Sequence, residues 1–271
     1  MSGETGLARL ERTFAGLRAR HRPALILYLM AGDPDPDTTV RLVAAVAEAG
    51  ADVVELGFPF SDPVADGPVI QAAGQRAFPH VSDLEAYLAL VRRVRAASDV
   101  ALVTMTYYNP VFRYGEQAFL EAGRAAGLDG AIVPDLPYVE AGDWLRACRE
   151  TGMGAILLEA PNTTDEDARS IAAAATGFLY MVSLKGVTGA EQELGDALGP
   201  RVERLRRYTD TPLAVGFGIS TPEQARAIGR QTDGVVIGSS LINRLVGKSP
   251  AEAEAVAREY VAALRAALDA P

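Results

Sequence analysis

The sequence predicts an α/β protein built as a TIM (β/α)8 barrel with an extra N-terminal helix, one domain over residues 1–271. Three observations predict it. Eight short apolar runs alternate with longer Ala/Leu/Arg/Glu stretches of helical period. The runs are near-continuously hydrophobic, as parallel strands buried on both faces are. The length of 271 residues fits a single barrel of about 250 residues, and no linker, low-complexity stretch or charge block divides it. An open doubly wound sheet is the alternative that the same alternation allows.

The elements follow in order. A helix is expected over 7–20, ahead of the first strand run at 24–32. The later runs lie at 51–57, 99–108, 129–137, 154–161, 177–183, 212–218 and 233–239. Between the first two runs, 38–50 places Val40, Val43, Val46 and Ala47 on one helical face and ends in Gly50, suited to the turn beyond a helix C-terminus. The stretch 82–97 opens on Ser82 with Glu85 three residues later, a capping-box pattern. Further helices are expected over 116–127, 140–152, 165–177, 221–230 and 249–268.

Composition narrows the function. Hydrophobic residues make up 49% and charged residues 23%, enough apolar material for a large core. Asp and Glu total 35 against 26 Lys and Arg, a net charge of −9 that repels nucleic acid and anionic membranes. An anionic small substrate stays open, because local backbone N–H groups can outweigh net charge. Cys148 is the one cysteine, which excludes an intrachain disulfide and a cysteine zinc site; with His21 and His80 the only histidines, a multi-histidine metal centre is excluded too. The N-terminal segment lacks a signal-peptide pattern and no apolar run has membrane-spanning length, so a cytoplasmic protein is expected.

In a barrel, function sits at the C-terminal ends of the strands. GFGIS (216–220) and GSS (238–240) occupy the loops after the last two strands, where this fold commonly binds phosphate, and GVTG (186–189) can add backbone donors. Each glycine also suits a tight turn, but three such loops in adjacent units favour an anion site. Glu55 ends a hydrophobic strand and is expected to point into the barrel mouth, where partial desolvation raises a carboxyl pKa toward neutrality; a structural Glu held by backbone donors is the alternative. Asp66 lies in an unusually long loop and is either functional or an Asp-Gly turn residue. Asp62 organises the same loop, and Asp135 is either catalytic or a loop anchor. Tyr107 and Tyr180 line a flat pocket or fill core space. Lys185 sits in a Gly-rich loop rather than on a strand, which disfavours Schiff-base chemistry. Proton transfer on a phosphorylated small molecule remains.

The segment AGADVVELGFPFSDPVADGPVIQ (49–71) closely resembles the signature of the tryptophan synthase alpha chain family. AGDPDP (31–36), MTYYNP (105–110), DGAIVPDLP (129–137), SLKGVTGA (183–190), GFGIS (216–220) and DGVVIGSS (233–240) follow in family order. The resemblance implies retro-aldol cleavage of indole-3-glycerol phosphate to indole and glyceraldehyde 3-phosphate. It implies Glu55 as acid/base catalyst and Asp66 as the carboxylate that holds the indole N–H. It implies phosphate contacts at Gly189, Phe217, Gly218, Gly238 and Ser239, and a substrate pocket of Tyr28, Tyr107, Tyr180 and Thr188. No metal or cofactor belongs to this half-reaction. The family usually works with a pyridoxal-phosphate-dependent beta chain in an α2β2 heterotetramer, and Asp62 and Pro59 would lie in the loop facing that partner. A stand-alone indole-3-glycerol phosphate lyase shares every catalytic residue and stays open, as does a non-catalytic binding subunit, which would need neither carboxyl. Glu159 and Lys185 depart from the family pattern, and an ion pair between them across the barrel mouth, or one of them tuning the pocket, is expected.

Overall fold

The computed structural model describes residues 4–182, 191–216 and 218–270, and of 191–197 the backbone alone. Nine strands are found among them: β1 (Ala24–Met30), β2 (Val53–Gly57), β3 (Ala101–Met105), β4 (Gly130–Ile132), β5 (Gly154–Ile156), β6 (Leu158–Glu159), β7 (Leu179–Val182), β8 (Leu213–Gly216) and β9 (Gly234–Ile237). All pair in parallel, in the order β5-β4-β3-β2-β1-β9-β8-β7-β6. Only Leu157 separates β5 from β6, and its carbonyl accepts the Tyr180 N–H at 2.9 Å. These two strands are therefore halves of one barrel strand. The sheet closes through the chain itself as an eight-stranded barrel, which removes the open-sheet alternative.

The helices are α1 (Gly6–Arg18), α2 (Pro36–Glu48), α3 (Pro68–Ala77), α4 (Leu84–Ala97), α5 (Tyr108–Tyr114), α6 (Glu116–Ala126), α7 (Gly142–Thr151), α8 (Asp165–Ala174), α9 (Glu191–Arg206), α10 (Pro222–Gly229), α11 (Ser239–Leu245) and α12 (Pro250–Asp269). The sequence reading has no counterpart for α3, α5, α9 and α11. Two of these are only seven residues long, and α9 carries Pro200 in its interior, which weakens its helical signal. Helix α4 is capped by Asp83 rather than Ser82: the Asp83 carboxylate accepts the Ala86 N–H at 2.9 Å. No helix among the described residues is long and apolar enough to cross a membrane.

Strand alternation places the site. Ala24, Ile26, Val53, Ala101, Val103, Ile132, Ile156, Tyr180, Ala214 and Val236 form a cluster inside the barrel, while Leu25, Leu27, Leu29, Val54, Leu56 and Leu102 pack outward under the helices. Leu10, Phe14 and Leu17 of α1 join the inner cluster, with the Phe14 and Phe178 ring centroids 5.7 Å apart. The extra N-terminal helix thus stoppers the N-terminal end of the barrel with apolar side chains. Inward positions near the C-terminal ends of the strands are left to line a cavity.

Candidate active site

A cavity of about 410 Å³ opens at the C-terminal end of the barrel. Tyr28, Glu55, Met105, Ile132, Leu158, Tyr180 and Val236 form its strand-borne floor. Ala65, Asp66, Gly67 and Ile70 approach from the loop after β2 and the start of α3. Gly218, Ile219, Ser220, Gly238, Ser239 and Ser240 approach from the loops after β8 and β9. No Lys or Arg is among the described lining residues.

Glu55 is the middle residue of β2, in register with Tyr28 on β1 and Val103 on β3. Period-two alternation turns it inward with Val53 and Gly57. It is 1% exposed, and its Oε1 has no hydrogen-bond partner among the described residues. Burial alone pushes its pKa up to about 8. The carboxyl is therefore mostly protonated at neutral pH. The alternative of a structural Glu held by backbone donors does not fit this bare oxygen.

Asp66 is partly buried in the loop before α3. Burial raises its pKa to about 6, and the hydroxyl of Tyr107 pulls it partly back. At pH 7 Asp66 is mostly ionised, so two carboxyls in one cavity hold opposite protonation states. The loop is fixed by its own backbone. Gln71 Nε2 donates to the Asp66 carbonyl at 2.9 Å, and the Ala65 N–H donates to the Tyr107 hydroxyl at 2.9 Å.

Tyr28 and Tyr180 are buried, and each occupies space that a glycine leaves. A Cβ on Gly57 would stand 2.1 Å from the Tyr28 hydroxyl, and one on Gly216 would stand 2.1 Å from the Tyr180 hydroxyl. Any side chain at either glycine would push a tyrosine ring off its place in the cavity wall. At the other end, Gly218 has φ +83°, a backbone conformation that favours glycine. The first turn of α11, behind Gly238, leaves the N–H groups of Ser239 and Ser240 without an intrahelical acceptor.

Glu55, Asp66, Tyr28, Tyr180, Gly218, Gly238 and Ser239 thus share one cavity. Tyr107 does not line it. It stands behind the loop, stacked on Phe60 at 5.1 Å and in contact with Ala65 and Asp66. Asp135 is a loop anchor, accepting the Tyr108 N–H at 2.8 Å where α5 begins. Lys185, Thr188, Gly189 and Phe217 lie outside the described residues. The expected place of Glu159 at the barrel mouth is corrected. Leu158 takes the inward position, and Glu159 turns outward, fully buried, to pair with Arg201 and with Arg204 at 2.6 Å, both from α9. Met105, Ile132, Leu158 and Val236 were not read from the sequence, although counting alternate residues inward along each run would have found them.

The model of the family described as tryptophan synthase alpha chain matches residues 14–269. The tryptophan synthase alpha chain of Roseiflexus castenholzii is 46% identical over 260 residues, covering 96% of this chain and 100% of that protein. That of Methanosarcina mazei is 49% identical over 236 residues, covering 86% and 85%. Among solved structures, the tryptophan synthase alpha subunit of Legionella pneumophila superposes with a TM-score of 0.87 at 37% identity, covering 96% of this chain and 98% of that one. A chain of Mycobacterium tuberculosis tryptophan synthase gives 0.87 at 37% identity, covering 97% and 99%. The glycine-lined cavity, its two carboxyls and these matches agree: the chain belongs to the tryptophan synthase alpha chain family.

Proposed function

We propose that this chain is the lyase subunit that cleaves indole-3-glycerol phosphate to indole and glyceraldehyde 3-phosphate, together with a beta chain. The observation that carries the reading is Glu55, a buried carboxyl with no cation beside it among the described residues, sharing a cavity with the more exposed Asp66. Protonated at neutral pH, Glu55 gives its proton to C3 of the indole. Positive charge then builds on the ring, and ionised Asp66 accepts the indole N1–H and stabilises it. The Glu55 carboxylate next takes the proton of the glyceryl hydroxyl. The C–C bond breaks, its electron pair returns to the ring, the aldehyde forms, and the Glu55 acid is restored. Met105, Ile132, Leu158 and Val236 offer an apolar bed for the indole, beside Tyr28 and Tyr180. Gly218, Gly238 and Ser239 would take the phosphate through backbone N–H groups, with Gly189 and Phe217 assigned to the same role on the family pattern. Thr188 and Tyr107 would position the loop that carries Asp66.

The partner reading has its own support. Val64, Phe112 and Val139 are 83%, 69% and 79% exposed, in the segments after β2, β3 and β4. They flank the end of the barrel from which indole must leave, and Val64 shares its loop with Pro59 and Asp62. We assign this apolar rim to a beta chain in an α2β2 assembly, which would carry its own pyridoxal phosphate. The relatives are named as alpha chains of a synthase, which favours this over a stand-alone lyase. A cytoplasmic location and one domain over 1–271 belong to the same proposal and rest on the sequence. The test is indole release by the purified chain, alone and with a beta chain added. Slow release alone, strongly raised by the partner, is expected. A rate already high alone would identify a stand-alone lyase, and no indole in either case would sink the reading.

A further inference from the structure

Behind the phosphate end of the cavity, Tyr260 of α12 reaches between two loops that touch nowhere in sequence. It is buried, and its hydroxyl lies 2.9 Å from the Ser220 carbonyl and 3.0 Å from the Ser240 Oγ. Ser240 Oγ also lies 3.1 Å from the Ile219 carbonyl. Two hydroxyl hydrogens serve these three contacts. Ser240 donates to the Ile219 carbonyl and Tyr260 to the Ser220 carbonyl with the two hydroxyl oxygens side by side, or one hydroxyl turns its hydrogen to the other. In every arrangement the pair of hydroxyls ties the 218–220 loop to the Gly238–Ser240 turn and to α12. Arg244, one turn beyond Ser240 on α11, stacks over the Tyr260 ring with its guanidinium carbon 4.1 Å from the centroid. Helix α11 therefore holds the tyrosine at two points, which fixes the rotation of its first turn. From the other side, Gln224 Oε1 accepts the Ser220 N–H at 2.9 Å, so the loop has little freedom except against Ser240.

We propose that Tyr260 is a positioning residue for substrate binding: together with Ser240 it sets the spacing between the 218–220 loop and the Gly238–Ser240 turn, and so the fit of the phosphate. The inference rests on the phosphate reading given above. It explains why a buried position facing the Ser220 carbonyl and the Ser240 hydroxyl carries a hydroxyl where a phenylalanine would fill the same space.

The test uses the full chain and glycerol 3-phosphate as probe, with indole as a second ligand that lacks the phosphate. Tyr260→Phe keeps the ring and its Arg244 stack and removes the tyrosine's part of the tether, its bond to the Ser220 carbonyl and its contact with Ser240. Its Kd for glycerol 3-phosphate is expected to rise about threefold to tenfold, the range of one hydrogen bond, with KM for the full substrate rising alike. The Kd for indole and kcat stay unchanged. Ser240→Ala removes the other part of the tether, and because the two hydroxyls touch and hold one loop, the double variant is expected to lose less than the sum of the two single losses. If Tyr260→Phe does not fold, Ser240→Ala alone carries the test by the same selective loss. Unchanged glycerol 3-phosphate binding in a folded variant overturns the tether, and so does an equal loss for indole, which would mark a packing role. Failure of the wild-type chain to bind glycerol 3-phosphate would instead overturn the phosphate reading, and the tether with it.

Discussion

At the N-terminal end of the barrel, Asp52, Asp129 and Asp233 each precede a strand and accept the N–H that starts, or lies in, the neighbouring one: Leu25, Leu102 and Leu213, each at 2.8 Å. Each also meets arginine. Asp52 pairs with Arg265 at 3.2 Å, Asp129 with Arg95 at 2.9 Å and Arg9 at 3.1 Å, and Asp233 with Arg206. At the C-terminal end, Glu55 and Asp66 line a cavity with no lysine or arginine among its described residues. Burial raises the pKa of Asp129 as it does that of Glu55, but Arg95, Leu102 N–H and Arg9 pull Asp129 partway back, whereas no described residue offsets the shift of Glu55. Carboxyls that are neutralised hold strands in register, and carboxyls left bare keep the perturbed protonation that proton transfer requires. One barrel uses the same group for stability at one end and reactivity at the other.

Exchange at Glu55 is the sharpest way to break this comparison. Glu55→Gln removes the proton donor without changing shape, and indole release is expected to fall by about 10³-fold. Binding of glycerol 3-phosphate stays unchanged. Because the folded pKa lies above the ordinary carboxylate value, ionising Glu55 costs the fold stability as pH rises from about 4.5 to about 8. The glutamine variant escapes that cost. Urea unfolding should find it equal to wild type at low pH and more stable above pH 8. A variant that loses activity and stability together would make Glu55 a structural residue after all.

The opposite end gives the opposite outcome. Asp129→Ala leaves Arg95 and Arg9 without their carboxylate and the Leu102 N–H without its acceptor. A loss of about 3 kcal/mol in urea unfolding is expected. The kcat of the folded protein stays unchanged, since no atom of Asp129 lines the cavity. A fall in kcat at full folding would dissolve the division between the two ends.

The two carboxyls of the mouth should also show themselves in the pH profile. In the free chain kcat/KM rises as Asp66 ionises near pH 6 and falls as Glu55 ionises near pH 8, a bell centred near neutrality. Asp66→Asn is expected to lower the rate by about 10²-fold and to erase the acid limb while keeping the alkaline one. An acid limb that survives the substitution would assign it to another group.

How far the sequence carried this comparison depends on distance along the chain. Glu55 was legible because an acidic residue at the end of a hydrophobic run is locally anomalous, and Asp66 because its loop is long and carries the ADGP motif. The barrel was legible from its alternation, though not the break at Leu157, which depends on hydrogen bonds to β7. The arginine partners were not legible. Glu159 finds Arg201 and Arg204 at separations of 42 and 45 residues, and only the closed helical layer brings them together. The strand-leading aspartates did leave a signal, an Asp before a small apolar run at AD52, LD129 and TD233, which a search for recurring short patterns would have found. The family resemblance, not the residue itself, puts Tyr107 in the pocket: an aromatic at a strand end faces either the cavity or the loop beside it, and one-dimensional spacing does not choose.

That placement of Tyr107 gives the smallest expected effect and the finest test. Among the described residues its hydroxyl is the one neighbour that lowers the pKa of Asp66 against burial, a partial form of the neutralisation that arginine carries further at the other end. Tyr107→Phe keeps the stack on Phe60 and removes the hydroxyl. Asp66 then loses a donor to its ionised form, its pKa rises, and the acid limb of kcat/KM moves to higher pH by less than about one unit. The Ala65 N–H loses its acceptor in the same step, which could loosen the loop. The two consequences separate by pH. A looser loop raises KM across the whole range, whereas a shifted Asp66 lowers kcat/KM on the acid side and leaves pH 7.5 and above untouched. An acid limb that stays in place while KM rises at every pH would make Tyr107 a brace for the loop and leave burial as the whole determinant of Asp66.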